Sequence, residues 1–343
     1  MTQPDRQQFI GGSDAASVMG LSEWRTPVET WLMKTGQHKP TELDRKRERI
    51  FDRGRREEPH IINDLVQLCG IKITKRSSVD SPNYHHDAEH GFLAAEIDAE
   101  WEVTAEAVNR LKLEHDIDVP EELIGTTQNV EAKTAHPFVA SKKFGQEGTD
   151  EIPIEYYCQA MHGLMVSGRQ LVLVALRVYV DDPILYVVRR DEQHIALMRE
   201  REVRFWLDYV IPSRTPPPMR LEDVCHLMPK NRPTAKEATP AVAGLIQSLR
   251  VLKDRGRITD EGVEAVQFEI GCFLLGAEAM ENPKPKDMGK HVITVGGQPA
   301  LWMSYEEQER IDADALRMKH PLVAAECAKI TQFYKFNLKR NKP

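Results

Sequence analysis

The chain has 343 residues, 41% hydrophobic and 29% charged, enough apolar material for one large core or a core plus a smaller unit, which excludes wholesale disorder. Its 46 Lys plus Arg against 53 Asp plus Glu leave a net charge of −7, which as a bulk property argues against a nucleic-acid coat or histone-like protein. Five scattered cysteines, no apolar run long enough for a membrane helix and no signal-peptide pattern leave a cytoplasmic protein without zinc fingers, disulfides or a span as the expectation.

Gly11-Gly12-Ser13-Asp14 before the apolar pattern Ala15, Ala16, Val18, Met19 predicts a loop and then a capped helix, with Ser13 as candidate N-cap. Pro27 to about Thr35 reads as a helix closed by Gly36. A third helix runs from the basic segment Arg45–Arg56 through Pro59 to Gly70, with Ile61, Ile62, Leu65, Val66 and Leu68 at helical spacing. Strands are expected over Gly91–Trp101 and Asn129–Thr134, with a helix over Thr104–Leu113 inserted between them. Glu155–Ser167 reads as a helix and Gln170–Val180 as a buried strand rich in β-branched residues. Asp181-Asp182-Pro183 is a turn, Ile184–Arg189 the returning strand, and His194–Tyr209 a long helix. This order predicts an α/β fold, a mixed central β-sheet flanked by helices.

Seven of the 21 prolines fall between Ile211 and Pro240. The expected organisation is a main domain over 1–210, a Pro-rich linker over 211–240 and a smaller C-terminal α+β unit over 241–343. In the last part, helical spacing covers Ala235–Asp254 and Asp260–Met280. His291–Val295 and Ala300–Tyr305 read as a hairpin, and Pro321 to about Phe333 as a final helix leading into a basic tail.

The charge distribution says more than its sum. Arg45–Arg56 holds seven basic residues against two acidic, a candidate backbone-binding face that includes Arg53 and Arg55. From Asp87 to Glu122 the balance reverses to twelve acidic against two basic. Lys329–Lys342 combines five basic residues with three aromatics, so Lys335, Lys339 and Arg340 beside Phe333, Tyr334 and Phe336 could contact phosphates and stack on bases.

Asp98 sits near a strand end, and Glu131 and Lys133, two apart on the next strand, share one face because side chains alternate. Two carboxylates and the Ala132 carbonyl are the hard oxygen ligands that Mg²⁺ prefers, with open positions for water and phosphate. Lys133 would then orient or help deprotonate the attacking water, and Glu58 is a further candidate ligand. Spacing alone also fits an ordinary salt-bridged strand face.

The order and company of the motifs carry more weight. RQQFIGGSDAASVMGLSEWRTPVETWLMKTG, then GRREEP, Asp98, EAK and IPIEYYCQAMHGLMVSG resemble the phage lambda exonuclease or viral recombinase nuclease family, on the RecB-like branch of the PD-(D/E)XK superfamily. The resemblance covers roughly Arg6 to Tyr209. It implies a Mg²⁺-dependent exonuclease, with two ions and with Mn²⁺ able to substitute, that digests one strand of duplex DNA from the 5′ end. It further implies a 3′ tail for a single-strand annealing protein, a ring-shaped homo-oligomer, most simply a trimer, and a phage or mobile element in a bacterial host. Residue by residue it assigns Asp98, Glu131, Ala132 and Glu58 to the metal and Lys133 to catalysis. Arg6, Ser13, Gln159 and Tyr156 fall to the 5′-phosphate, the last two from a single helix; Arg can bind phosphate bidentately, and a serine at a helix start presents its hydroxyl beside free N–H groups. The chain departs from the family in Glu96-Ile97-Asp98-Ala99, where a phosphate donor is replaced by Glu96, and in an acidic insertion over 102–128.

Trp24 and Arg25 follow the Ser13 helix and are candidates to wedge or stack on a DNA end, core packing of Trp24 being the alternative. His85, His86 and His90 read as loop histidines more readily than as ligands, with His90 the nearest to a metal role. The alternatives to an exonuclease are a structure- or sequence-specific endonuclease on the same fold and a non-catalytic DNA-end-binding scaffold.

Overall fold

The computed structural model describes the backbone of residues 5–38, 42–230, 232–254, 260–280, 289–311 and 328–338, and side chains in these stretches except at 42–48, 252–254, 260–261, 306–311 and 328–338. The chain divides into two compact units, Met1–Pro217 and Pro218–Pro343.

In the first unit, a 3₁₀ turn at Arg6–Gln8 precedes α1 (Gly12–Val18) and α2 (Pro27–Lys34). Thr26 caps α2 by accepting the Glu29 N–H while Glu29 accepts the Thr26 N–H, a reciprocal box that fixes its start. The long α3 (Glu42–Cys69) carries Pro59 inside it. The central sheet has the order β1 (Lys72–Arg76), β4 (Ala99–Glu102), β5 (Thr127–Ala135), β6 (Leu171–Val178), β7 (Ile184–Arg189), and a separate ribbon pairs β2 (Tyr84–His86) with β3 (Ala94–Glu96). β5 and β6 run parallel and all other neighbours antiparallel, so the sheet is mixed as expected.

One face of this sheet packs on Ile61, Ile62 and Leu65 of α3 and on Ala107 and Leu111 of α4 (Ala105–His115), which meet Val130, Ala132, Leu173 and Ala175. The acidic insertion is thus an integral cover whose apolar stripe completes the core while its carboxylates face outward. The other face is crossed by α6 (Ile154–Ser167), with Met161, Leu164 and Met165 buried, and by α7 (Glu192–Phe205), which continues as a π-turn at Trp206–Val210. A short helix, α5 (Pro137–Lys143), follows β5 directly.

The expected strand over Gly91–Trp101 is two strands, β3 and β4, with Ile97 and Asp98 between them; β3 pairs with β2 and β4 with β1 and β5, so the chain changes sheets at that point. β1, β2 and α5 lie where no element was expected, because their runs are short and largely polar.

The second unit corrects several expectations. The proline-rich stretch 211–240 is no bare linker: α8 (Leu221–Leu227) and β8 (Thr234–Glu237) lie within it. β8 pairs in parallel with β10 (Lys290–Val295) from His291↔Thr234 to Thr294↔Glu237, and prolines at 229 and 233 precede the strand without interrupting its ladder. The helix expected from Ala235 therefore begins later, as α9 (Pro240–Asp254), and α10 (Asp260–Leu274) stops before the two-residue β9 (Glu278–Ala279). The predicted hairpin is present as β10 and β11 (Gln298–Ile311). Of the final helix expected over Pro321 to about Phe333, residues 321–327 lie outside the described ones, and the rest belongs instead to β12 (Ala328–Leu338), paired with β11 from Leu301↔Leu338 to Ile311↔Ala328; its alternation of β-branched and aromatic residues suits a strand. Ile246, Leu249, Ile270, Ile293, Leu301 and Met303 form this unit's own core. Among the described residues, no helix is long and apolar enough to cross a membrane.

Candidate active site

The site forms where two strands part. The β4–β5 ladder ends at Ala99↔Val130, so from Glu131 onward that edge of β5 is released from β4. Asp98, just before β4, fills the gap with its side chain: Oδ2 accepts the backbone N–H of Ala132 at 2.9 Å. Val130 and Ala132 point into the core, which by alternation sets Glu131 and Lys133 on the α6 face, as the sequence predicted.

There Glu131, 6% exposed, accepts from Lys133 Nζ at 2.5 Å and from Gln159 Nε2 at 2.5 Å, while Lys133 also donates to Gln159 Oε1 at 3.2 Å. The Lys133 ammonium lies 5.1 Å from the centre of the Tyr156 ring. Gln159 and Tyr156, expected with the phosphate hook, are therefore built into the Glu131–Lys133 cluster. Glu58 reaches it from α3, whose Gly54 one turn earlier lies beside Thr134 of β5.

The electrostatics bind these groups together. Burial, then the charges of Glu131 and Glu58, push the Asp98 carboxyl well above its usual range against the pull of Lys133. Burial raises Glu58 in the same sense; Lys133 opposes, and Glu131 and Glu96 add to the rise. Burial disfavours charge on Lys133, but Glu131 and Asp98 outweigh it and hold the ammonium above its ordinary value. A crowded set of carboxylate oxygens with one ammonium among them suits a hard divalent cation, which would relieve their repulsion. In the arrangement seen, Glu131 is turned onto Lys133 and Gln159, and among the described residues no three His, Cys, Asp or Glu side chains meet as a ready cage. Glu131 would exchange one N–H partner for the ion. Glu96 lies at an exposed strand end and accepts from the Ser77 hydroxyl at 2.6 Å.

A second cluster lies against the first. Arg6 donates to Ser13 Oγ at 2.7 Å, the pairing expected for a phosphate hook. Ser13 is not the N-cap: Gly11 holds that place and Ser13 lies in the first turn of α1. Sequence reasoning missed the centre of this cluster, Asp14, 4% exposed, which takes Arg25 Nη1 at 2.8 Å and Lys34 Nζ at 2.6 Å. Burial alone would raise the Asp14 carboxyl, but Lys34, Arg25 and Arg6 outweigh it and hold it well below the usual carboxylate range. Three cations, Arg6, Arg25 and Lys34, against the two carboxylates Asp14 and Asp5 leave a modest excess of positive charge near the Ser13 hydroxyl, lining a cavity of about 390 Å³ with Gln7, Met33 and His38. The only signal in the sequence was Asp14 within the GGSD loop and Lys34 ending the next helix. Arg25 is thus a strut of this network. Trp24 is 47% exposed and meets the Tyr156 ring edge-on at 5.7 Å.

Gly12 joins the two clusters. A Cβ there would lie 3.1 Å from Gln159 Cγ and 3.3 Å from Gln159 O, so only glycine lets α1 approach α6 this closely. Of the remaining candidates, Arg53 and Arg55 are exposed on α3, with Arg55 3.4 Å from Asp52. Lys335 is on β12 with its side chain outside the described residues, and Lys339 and Arg340 lie outside them altogether. His85 pairs with Glu100 at 2.6 Å, His86 Nδ1 is 3.2 Å from the Gly91 carbonyl, and His90 packs 5.4 Å from the Phe92 ring, so none joins the carboxylate cluster.

Fold and site together are a mixed sheet flanked by helices, with an aspartate and an E-x-K pair converging where strands fork, the arrangement the resemblance to PD-(D/E)XK nucleases led us to expect. Residues 3–170 match the YqaJ-like viral recombinase domain. The chain is 24% identical over 338 residues, 98% of this chain and 92% of the relative, to the uncharacterized protein YqaJ of Bacillus subtilis strain 168, so the similarity runs through both units. Among solved structures it is similar to an alkaline exonuclease, LHK-Exo, of Laribacter hongkongensis at 15% identity and a TM-score of 0.41, covering 61% of this chain and 90% of that one. The same enzyme in complex with dAMP aligns at 17% identity and a TM-score of 0.41, with the same coverage.

Proposed function

We propose that the chain is a Mg²⁺-dependent exonuclease that engages the ends of double-stranded DNA and removes nucleotides from the 5′ strand, leaving a 3′ single-stranded tail for an annealing protein. The observation that carries this reading is Gln159, whose side chain bonds Glu131 and Lys133 while its backbone abuts Gly12, next to Ser13. A strand end held at Ser13 and Arg6 is thereby placed one helix width from the carboxylates.

Asp98, Glu131, Glu58 and the Ala132 carbonyl would hold one or two Mg²⁺ ions, with Mn²⁺ able to substitute. Bound there, the metal would supply an acidified water and neutralise charge on the scissile phosphodiester. Lys133 keeps its proton in the field of Glu131 and Asp98, so its part is to orient the attacking water and offset phosphate charge by donating hydrogen bonds. Arg6, Ser13, Lys34 and Arg25 anchor the terminal phosphate by charge-assisted hydrogen bonds. The exposed Arg53 and Arg55 follow the duplex backbone. A homo-oligomeric ring, a trimer by family resemblance, in a phage or mobile-element setting completes the proposal.

Lys133→Ala tests it. The variant should bind linear duplex but release no nucleotide with Mg²⁺, and wild type should free a 5′ label first and leave closed circles intact. Substantial Mg²⁺-dependent activity in the variant refutes the assignment, and cutting of closed circles makes the enzyme an endonuclease.

A further inference from the structure

β5 and β6 are adjacent parallel strands, paired through Ala135↔Val178, so the segments that leave them emerge together at one end of the sheet, just beyond Lys133. That end carries exposed aromatic and apolar side chains that no core requires. After β5 come His136 and then Phe138, 61% exposed; after β6 comes Tyr179, 68% exposed, its ring 6.0 Å from that of His136. Tyr179 has φ +59°, a left-handed conformation that costs a bulky residue energy, so the fold holds this ring outward against a local strain. The rim also receives α3. Glu58 and Gly54 lie one turn apart on the helix face turned to β5, and one turn further Ile50 and Phe51 continue that line with 62% and 59% exposure.

The charge interleaved with these rings is mainly positive. Arg49, Arg53, Arg55 and Arg56 lie on the same stretch of α3 as Asp52, and Lys142 Nζ sits 4.0 Å from the centre of the Phe138 ring. Asp181 and Asp182 lie just after Tyr179 and oppose, but cations outnumber acids along the rim. Exposed rings with cations between them match unpaired nucleic acid, whose bases offer open faces and whose backbone is anionic. In a duplex those faces are already stacked, and a second copy of this chain would find a cationic surface facing its own.

The geometry points to this rim as a binding site for single-stranded DNA, with Phe138 and Tyr179 stacking on unpaired bases and Phe51, Arg53 and Lys142 beside the backbone. It takes its choice of DNA from the nuclease reading. An end whose strands part at the carboxylates would lay its unpaired stretch across the rim, which would discourage re-annealing and backward slippage.

The test is fluorescence anisotropy of labelled dT12 in EDTA, where no cleavage intrudes. Wild type should bind it, and Phe138→Ala/Tyr179→Ala should weaken binding at least tenfold, since one stacked base is worth about 1–3 kcal/mol and 1.4 kcal/mol is tenfold. Phe138→Trp/Tyr179→Trp should restore binding, and all these side chains are exposed, so circular dichroism should match wild type. No dT12 binding by wild type, or equal binding by the alanine variant, overturns the inference. So does an alanine variant that changes sedimentation but not dT12 affinity, which would make the rim a contact between copies. A wild type that binds dT12 through these rings yet cuts no DNA leaves the rim standing and the nuclease reading refuted.

Discussion

Beneath the active site, α6 and α7 are joined by an ion pair with no exposure on either side: His162 Nδ1 lies 3.0 Å from both carboxylate oxygens of Glu202, and Nε2 lies 3.0 Å from the Ala94 carbonyl. Facing a carboxylate on one side and a carbonyl on the other, both ring nitrogens can donate when the ring is an imidazolium, the form this geometry favours. Burial opposes that charge, but Glu202 outweighs it and raises the His162 pKa above the ordinary 6.5. The pair clamps both helices to β3, the strand that leads to Asp98. Glu202→Gln keeps the shape and removes the charge, leaving an uncompensated buried imidazolium, a perturbation worth about 3–5 kcal/mol.

The pH dependence is set by the sign of the shift. In wild type the folded pKa is raised, so the stabilisation is complete below the unfolded value of 6.5 and is lost as pH rises through the folded value. In the variant, burial, the largest influence, is opposed only by the Ala94 carbonyl and the more distant Asp14, so the shift moves downward and the stability gained on the acid side is lost. The difference between the two proteins should therefore be largest on the acid side and shrink towards about pH 9. Urea denaturation followed by tryptophan fluorescence reports it, because four of the five tryptophans lie in the first unit. With a slope of about 1–3 kcal/mol per molar urea, the midpoint should fall by roughly 1 M or more at about pH 6. A difference equal at both pH values, or larger at high pH, would falsify the clamp.

Other outcomes are expected. Arg6→Ala should erase a preference for 5′-phosphorylated over unphosphorylated duplex ends in competition assays; equal loss on both kinds of end would count against the hook. Asp14→Asn strands Lys34 and Arg25 in a largely buried site and should cost roughly 3–5 kcal/mol in denaturation while weakening end binding; a change below about 1 kcal/mol would show that the three cations do not depend on it. In the second unit, burial pulls His291 down to about 4. The unfolded chain then binds the proton first, so that unit should lose stability as pH falls from about 6.5 towards 4, and His291→Gln should flatten the loss in hydrogen exchange of β10 and β11.

The chemistry of the site was legible because it depends on local rules. Side chains alternate along a strand, so E-A-K had to place Glu131 and Lys133 together, and the order of motifs pointed to Asp98 and Glu58 as their company. Helices with clear apolar stripes were legible for the same reason. The charge run at Arg45–Arg56 showed a cationic face without saying that its helix would carry Glu58 to the fork.

Whatever depends on approach between distant segments was decided only by the tertiary structure. Asp14 and Lys34 look like solvated charges in the sequence and are buried partners in the fold. Gln159 was expected at the phosphate and sits on Glu131 and Lys133, because Gly12 lets α1 press against the back of α6 while the side chain turns to β5. The stretch expected as the end of a helix and a basic tail is, over Ala328–Leu338, a strand because β11 offers it a ladder, and hydrogen bonds to a neighbour outweigh local preference. The sequence by itself determined which residues could do chemistry; burial, which makes an unpaired charge costly and a paired one specific, decided which of them meet.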